Sequence, residues 1–79
     1  MTRPELLVRL RALAVHRFGP RAAGLSDDQD LFDVLGIDSL AALDLLTDLE
    51  VAFSVEIPDW EVQGATTLAG LADVLGRRL

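Results

Sequence analysis

Leu35-Gly36-Ile37-Asp38-Ser39-Leu40 is the stretch whose reading decides the fold. A glycine turn delivers an Asp-Ser pair to the start of an apolar repeat formed by Leu40, Leu43, Leu46, Leu49 and Phe53. Three- and four-residue spacing of that kind is helical, so a helix is expected from about 39 to 53. Asp38 stands where an N-cap belongs, its carboxylate able to accept from the free N–H groups of the first turn. Ser39 then takes the first helical position, with its hydroxyl projecting into solvent.

Outward from this helix, the pattern predicts a small bundle. Thr2-x-x-Glu5 reads as a capping box, and Pro4 is tolerated in a first turn. Leu6, Leu7, Leu10, Leu13 and Ala14 share the inner face of a first helix that should end near Phe18, because Gly19-Pro20 cannot continue it. Residues 20–30 read as a loop, with Leu25 as its anchor, and Leu31, Phe32 and Leu35 return the chain to the core. After Phe53 the chain is extended, since Ile57 precedes a proline, and Ile57 is expected to plug the core. Pro58 can open a short helix through about Val62, with Gly64 as its breaker. Thr66 or Thr67 caps a last helix with Leu68, Leu71, Ala72 and Leu75 inside, fraying at Gly76-Arg77-Arg78-Leu79. The expected fold is all-α, a four-helix bundle of three main helices and one short one, with residues 1–79 forming a single domain.

Composition narrows the chemistry. The chain has no cysteine, which removes disulfides and thiolate sites, and a formal net charge of −6. All seven basic residues are arginines, at 3, 9, 11, 17, 21, 77 and 78. Every acid except Glu5 lies between Ala22 and Gly76, where no arginine or lysine stands. Such a field repels nucleic acid and favours basic partner surfaces. No apolar run approaches the ~20 residues of a membrane span, and no signal peptide is apparent, so a cytoplasmic protein without membrane contact is expected.

On a wheel of about 100° per residue, Ala42, Leu46, Leu49 and Phe53 cluster on one side of the serine helix, flanked by Leu43 and Leu45. Leu40, Ala41, Asp44, Thr47, Asp48 and Val51 gather opposite. An apolar strip edged by acids has the composition of a docking surface, although single exposed aliphatics are also ordinary. Catalysis by Ser39 is not expected. The only histidine, His16, falls on the outer face of the first helix, no lysine exists, and the serine's context is not a G-x-S-x-G elbow. Trp60 is expected to act as a partial lid on the short helix. The acidic run Asp27-Asp28-Gln29-Asp30 fails as an EF-hand, with Phe32 and Asp33 where a ligand and a glycine are required, and no metal site is expected.

The L-G-I-D-S-L stretch, with Phe53-Ser54-Val55-Glu56-Ile57-Pro58-Asp59 behind it, resembles the acyl carrier proteins of fatty-acid and polyketide synthesis. The resemblance spans nearly the whole chain. It implies that Ser39 carries a 4′-phosphopantetheine arm donated by coenzyme A, with Asp38 helping the phosphopantetheinyl transferase to engage. A phosphate esterified at Ser39 would face free N–H donors at the positive end of a helix dipole. The resemblance further implies that Leu40, Asp44, Thr47, Asp48, Glu50 and Val51, with Glu56 and Asp59 around the short helix, meet the partner enzymes. Those partners would be acyltransferases, ketosynthases or acyl/aminoacyl ligases with basic surfaces, met by a monomeric carrier.

Family members often have acids at the positions of Val34, Ala41 and Ala42, and consecutive glutamates where Glu50 is followed by Val51 and Ala52. Recognition should therefore be more apolar and more selective. Arginine without lysine and an Ala/Leu/Gly bias hint at specialised metabolism, so a polyketide or related (antibiotic-type) pathway is the first reading. An aminoacyl or peptidyl carrier of non-ribosomal type, or an unmodified acidic helical adaptor, are the alternatives.

Overall fold

The computed structural model describes all residues, 1–79. The main helices are α1 (Arg3–Phe18), α3 (Ser39–Phe53) and α5 (Leu68–Arg78). Two short helices, α2 (Leu31–Leu35) and α4 (Asp59–Val62), and a 3-10 turn at Pro20–Gly24 complete the chain. No strand is present, and no helix is long and apolar enough to cross a membrane.

Local signals set most of the boundaries. The capping box forms: the Thr2 hydroxyl accepts from the Glu5 N–H, and the Glu5 carboxylate accepts from the Thr2 N–H. The Thr2 hydroxyl also donates to the Glu5 carboxylate at 2.8 Å, and this bond first, with the Thr2 N–H second, holds the Glu5 carboxyl below its usual range. Thr67 caps α5 by accepting from the Gly70 N–H at 2.9 Å. The expected loop over 20–30 instead contains the 3-10 turn, and the return to the core is the helix α2. Asp30 caps α2 by accepting from the N–H groups of Phe32 and Asp33, and Gly36 ends it at φ 64°, a left-handed conformation that suits glycine.

Nor does α5 fray at Gly76. It continues through Arg78, whose guanidinium is held by Glu61 on α4. A single mid-helix glycine costs about 1 kcal/mol relative to alanine. The tertiary tie at the next turn offsets it.

All sixteen buried residues are apolar, and no buried polar side-chain atom lacks a partner. Leu6, Leu10 and Ala14 of α1 meet Leu45, Leu46, Leu49 and Phe53 of α3 and Leu68, Leu71, Ala72, Val74 and Leu75 of α5. Leu25 and Ile57 are buried as expected; Leu7 and Leu13 sit only at the core's edge. Of the two leucines flanking the inner side of the wheel, Leu45 is fully inside, whereas Leu43 is 41% exposed. Two backbone bonds, Leu31 N–H to Thr66 C=O at 2.8 Å and Ala69 N–H to Asp27 C=O at 2.9 Å, stitch the loop before α2 to the entry of α5.

Arginines staple this core from outside. Arg3 pairs with Asp73, Arg11 donates to Asp27 at 2.6 Å and to the Leu25 carbonyl, and Arg21 donates to the Val34 carbonyl at 2.7 Å. Arg9 stacks on the Phe53 ring, 4.6 Å from its centre. Arg17 on α1 grips Asp48 on α3 through two 2.8 Å bonds. The Arg17 bond is the main cause holding the Asp48 carboxyl below the ordinary carboxylate range. A depressed folded-state pKa makes this contribution fully present above the unfolded value of about 3.9 and lost as pH falls through the folded one. In urea titrations at stepped acidic pH, the wild type is therefore expected to be more stable than Asp48→Asn near neutrality, with the gap closing in strong acid. A gap that stays constant through the acid range would contradict this.

Candidate functional site

The site is built by the junction of α2 and α3. Gly36 turns the chain out of α2, its N–H bonded to the Phe32 carbonyl at 2.9 Å. Ile37 is half-buried and fixes the connection, and Asp38 opens α3 as its N-cap. The Asp38 carboxylate accepts from the Ala41 N–H at 2.9 Å, and its carbonyl accepts from the Ala42 N–H at 3.1 Å. The N–H groups of Ser39 and Leu40 have no partner within the chain. Ser39 is exposed at the first position of the helix, as its sequence position predicts. A hydroxyl in this setting can accept a phosphate ester without steric cost. Two unpaired donors and the helix dipole favour the added charge by about 0.3–1 kcal/mol, while the Asp38 carboxylate opposes it. The residues thus fit a tethered phosphodiester that is held loosely.

Nothing around the hydroxyl activates it. His16 is exposed on α1, and no group of three or more acidic or histidine side chains is placed to hold a metal. Asp27 and Asp30, members of the acidic run, are spent on Arg11 and on capping α2.

The outer face of α3 divides into two sets. Leu40 and Val51 are 72% and 76% exposed, with Asp44 and Thr47 exposed between them. These four lie along one side of α3, an exposed aliphatic side chain at each end with an acid and a hydroxyl between them. The other two residues assigned to this surface are engaged inward. Asp48 is clamped by Arg17, and Glu50 accepts from the Ile57 N–H at 3.0 Å, closing the turn after α3. The free surface is therefore narrower than the helical wheel suggests. Glu56 and Asp59 are exposed at the entry to α4 and make no ion pair. The four ion pairs join arginines to Asp73, Asp27, Asp48 and Glu61, and none involves Asp38, Asp44, Glu56 or Asp59.

One feature gave no signal in the sequence. An apolar cavity of about 290 Å³ opens beside Ser39, walled by Leu31 and Phe32, by Leu46 and Leu49 of α3, by Val62 of α4 and by Leu71 of α5. Leu43 and Asp59 also line it, which explains why Leu43 is half out of the core. Trp60 does not line this cavity and is 70% exposed, so the expectation of a partial lid is corrected: on α4 the inward position goes to Val62. A four-residue helix can turn only one side inward, and Val62 two residues later takes it.

Comparison with known proteins bears on this geometry. A family described as "Phosphopantetheine attachment site" matches residues 8–75. The acyl carrier protein of Rubrobacter xylanophilus is 32% identical over 73 residues, which cover 92% of this chain and 90% of that one. That of Thermotoga maritima is 24% identical over 78 residues, covering 99% and 96% respectively. A solved acyl carrier protein from Enterococcus faecalis superposes over the whole of both chains with a TM-score of 0.80 and 25% identity.

Proposed function

The chain belongs to the acyl carrier protein family, and on that premise we propose that Ser39 is its attachment point and the outer strip of α3 its docking surface. Family membership already fixes the broad role: a non-catalytic carrier that bears a covalent 4′-phosphopantetheine group and meets a phosphopantetheinyl transferase and biosynthetic enzymes. When attached, that group supplies the terminal thiol on which acyl groups ride as thioesters. The protein's own residues supply address and tether. The Gly36 turn and the Asp38 cap hold Ser39 outward, and the absence of a built anion pocket leaves the phosphodiester free to move.

The observation that carries this reading is the exposure of a serine at the first position of α3, beside an apolar cavity and an uncompensated acidic surface. We read the cavity as a shelter for part of the acyl chain, since an arm leaving Ser39 that folds back brings the aliphatic tail on its thiol to apolar walls. A partner enzyme with a basic rim and a small apolar patch complements Leu40, Val51 and Asp44. Glu56 and Asp59 extend that acidic edge toward α4. Alanines at 41 and 42, where family members often have acids, favour a dedicated pathway of polyketide or related type over general fatty-acid synthesis. A monomeric, cytoplasmic carrier is the form proposed.

The docking assignment is tested with holo protein and a cognate acyl-transferring partner. Asp44→Arg and Val51→Glu are each expected to lower the transfer rate by about tenfold or more, while helicity by circular dichroism stays at the wild-type level. Unchanged transfer in both would place the docking surface elsewhere.

A further inference from the structure

The acyl shelter proposed above has three fixed walls and one weakly held one. Leu31 of α2, Leu46 and Leu49 of α3 and Leu71 of α5 all belong to the buried core. The fourth wall is α4, which contributes Asp59 and Val62 and, just beyond its end, Gln63. Four residues are far below the roughly 12–15 at which a helix stands alone. Its N-cap, Pro58, makes no side-chain capping bond, and none of its residues is fully buried. Internal backbone bonds are sparse: Glu61 N–H to Pro58 C=O at 3.0 Å and, just after the helix, Ala65 N–H to Val62 C=O at 2.9 Å.

One side chain ties α4 to a main helix. Arg78, in the last turn of α5, donates from both Nε and Nη2 to the same oxygen of Glu61, the Nε bond measuring 2.8 Å. These are the only side-chain hydrogen bonds that α4 makes. The Glu61 side chain is only 13% exposed and that of Arg78 33%, so the pair is shielded more than an ordinary surface bridge. Its neighbour Arg77 is exposed and makes no ion pair. The same contact explains why α5 runs past Gly76.

We propose that the Glu61–Arg78 pair is a latch that sets the position of α4, and through it the length of acyl chain the cavity accepts. The pair is a positioning element: neither residue lines the apolar cavity, and each acts through the wall it holds. The chain-length part of the proposal rests on the reading of the cavity as an acyl shelter. The positional part does not, which allows the two to be tested apart.

The first measurement is backbone hydrogen exchange on the unmodified full chain. Arg78→Gln and Glu61→Gln are each expected to speed exchange at the Glu61 and Ala65 amides by about tenfold or more, with α1 and α3 amides unchanged. Arg77→Gln, the same charge change one residue away, is expected to leave α4 as it was. Equal exchange at α4 in wild type and Arg78→Gln, or an equal effect from Arg77→Gln, would overturn the latch. The second measurement loads the holo protein with linear acyl chains of increasing length and follows the Val62 and Leu71 methyl resonances. In the wild type the shifts should stop growing at some chain length, and in Arg78→Gln at a longer one. The same limit in both would overturn the control of chain length. If no chain moves those methyls in the wild type, the shelter reading fails and the chain-length claim with it, whereas a tenfold change in α4 exchange would still establish the latch.

Discussion

Ser39→Ala is expected to abolish loading completely. Incubated with coenzyme A, Mg²⁺ and a promiscuous phosphopantetheinyl transferase, the wild type gains one phosphopantetheine mass and the variant gains none at any enzyme concentration. The loss is chemical, because no other hydroxyl shares the setting. Ser54 is exposed but closes α3 in a left-handed conformation at φ 54°, at the negative end of the helix, where a phosphate is disfavoured. Ser26 sits in the loop before α2, and Thr67 is committed to capping α5. Nor can unfolding explain the result. Asp38, not Ser39, caps α3, the serine side chain is exposed, and alanine is the best helix former. The variant should keep the wild-type circular dichroism spectrum and melting temperature to within a few degrees. Full loading of Ser39→Ala would remove the basis of the functional reading.

Leu75→Ala should produce the largest loss of stability. Leu75 is completely buried on α5, the helix that packs along α1. Emptying such a site costs about 2–5 kcal/mol, combining lost transfer free energy with a cavity that surrounding atoms fill only partly. A domain of this size holds roughly 0.05–0.15 kcal/mol per residue, or about 4–12 kcal/mol in all. The variant thus forfeits a large share of its stability, and its melting temperature should fall by at least about 8 °C. No polar network in the core can compensate, since every buried residue is apolar. Urea denaturation reads the difference directly. A loss below about 1 kcal/mol would mean that α1 and α5 do not share one cooperative core with α3.

What the sequence discloses and what it withholds divide along the range of the interactions. Features decided within one helical turn are legible: the Thr2–Glu5 box, the Asp38 cap, the span of α3 and the insertion of Ile57 before a proline. The helix α2 was also written locally, in Asp30 as a cap and Gly36 as a terminator, but five residues offer too short a period to stand out from a loop. Non-local contacts left no such mark. Asp48 and Glu50 look like outward acids on a wheel, yet Arg17 lies 31 residues from one partner and Ile57 seven from the other. The continuation of α5 beyond Gly76 depends on Glu61, seventeen residues before Arg78. The same limit applies to the site: Ser39 and its cap can be read from adjacent residues, whereas the cavity is assembled from four helices and appears only on packing.

These contrasts also refine the electrostatics. The segregation of arginines to the two ends of the sequence is visible in the chain, but its consequence is structural. Folding pairs four of those arginines with Asp73, Asp27, Asp48 and Glu61, and leaves Asp38, Asp44 and Asp59 without an ion pair. On the proposed docking surface, this division would draw a basic partner toward Ser39 over about a Debye length, roughly 8–10 Å at ordinary salt.

The most direct test is localisation of the arm on the loaded protein. Proteolysis followed by fragmentation mass spectrometry should find phosphopantetheine on the peptide containing Ile37-Asp38-Ser39-Leu40, with the added mass on the Ser39 residue in every loaded molecule. An arm on any other hydroxyl, with Ser39 unmodified, would contradict the account.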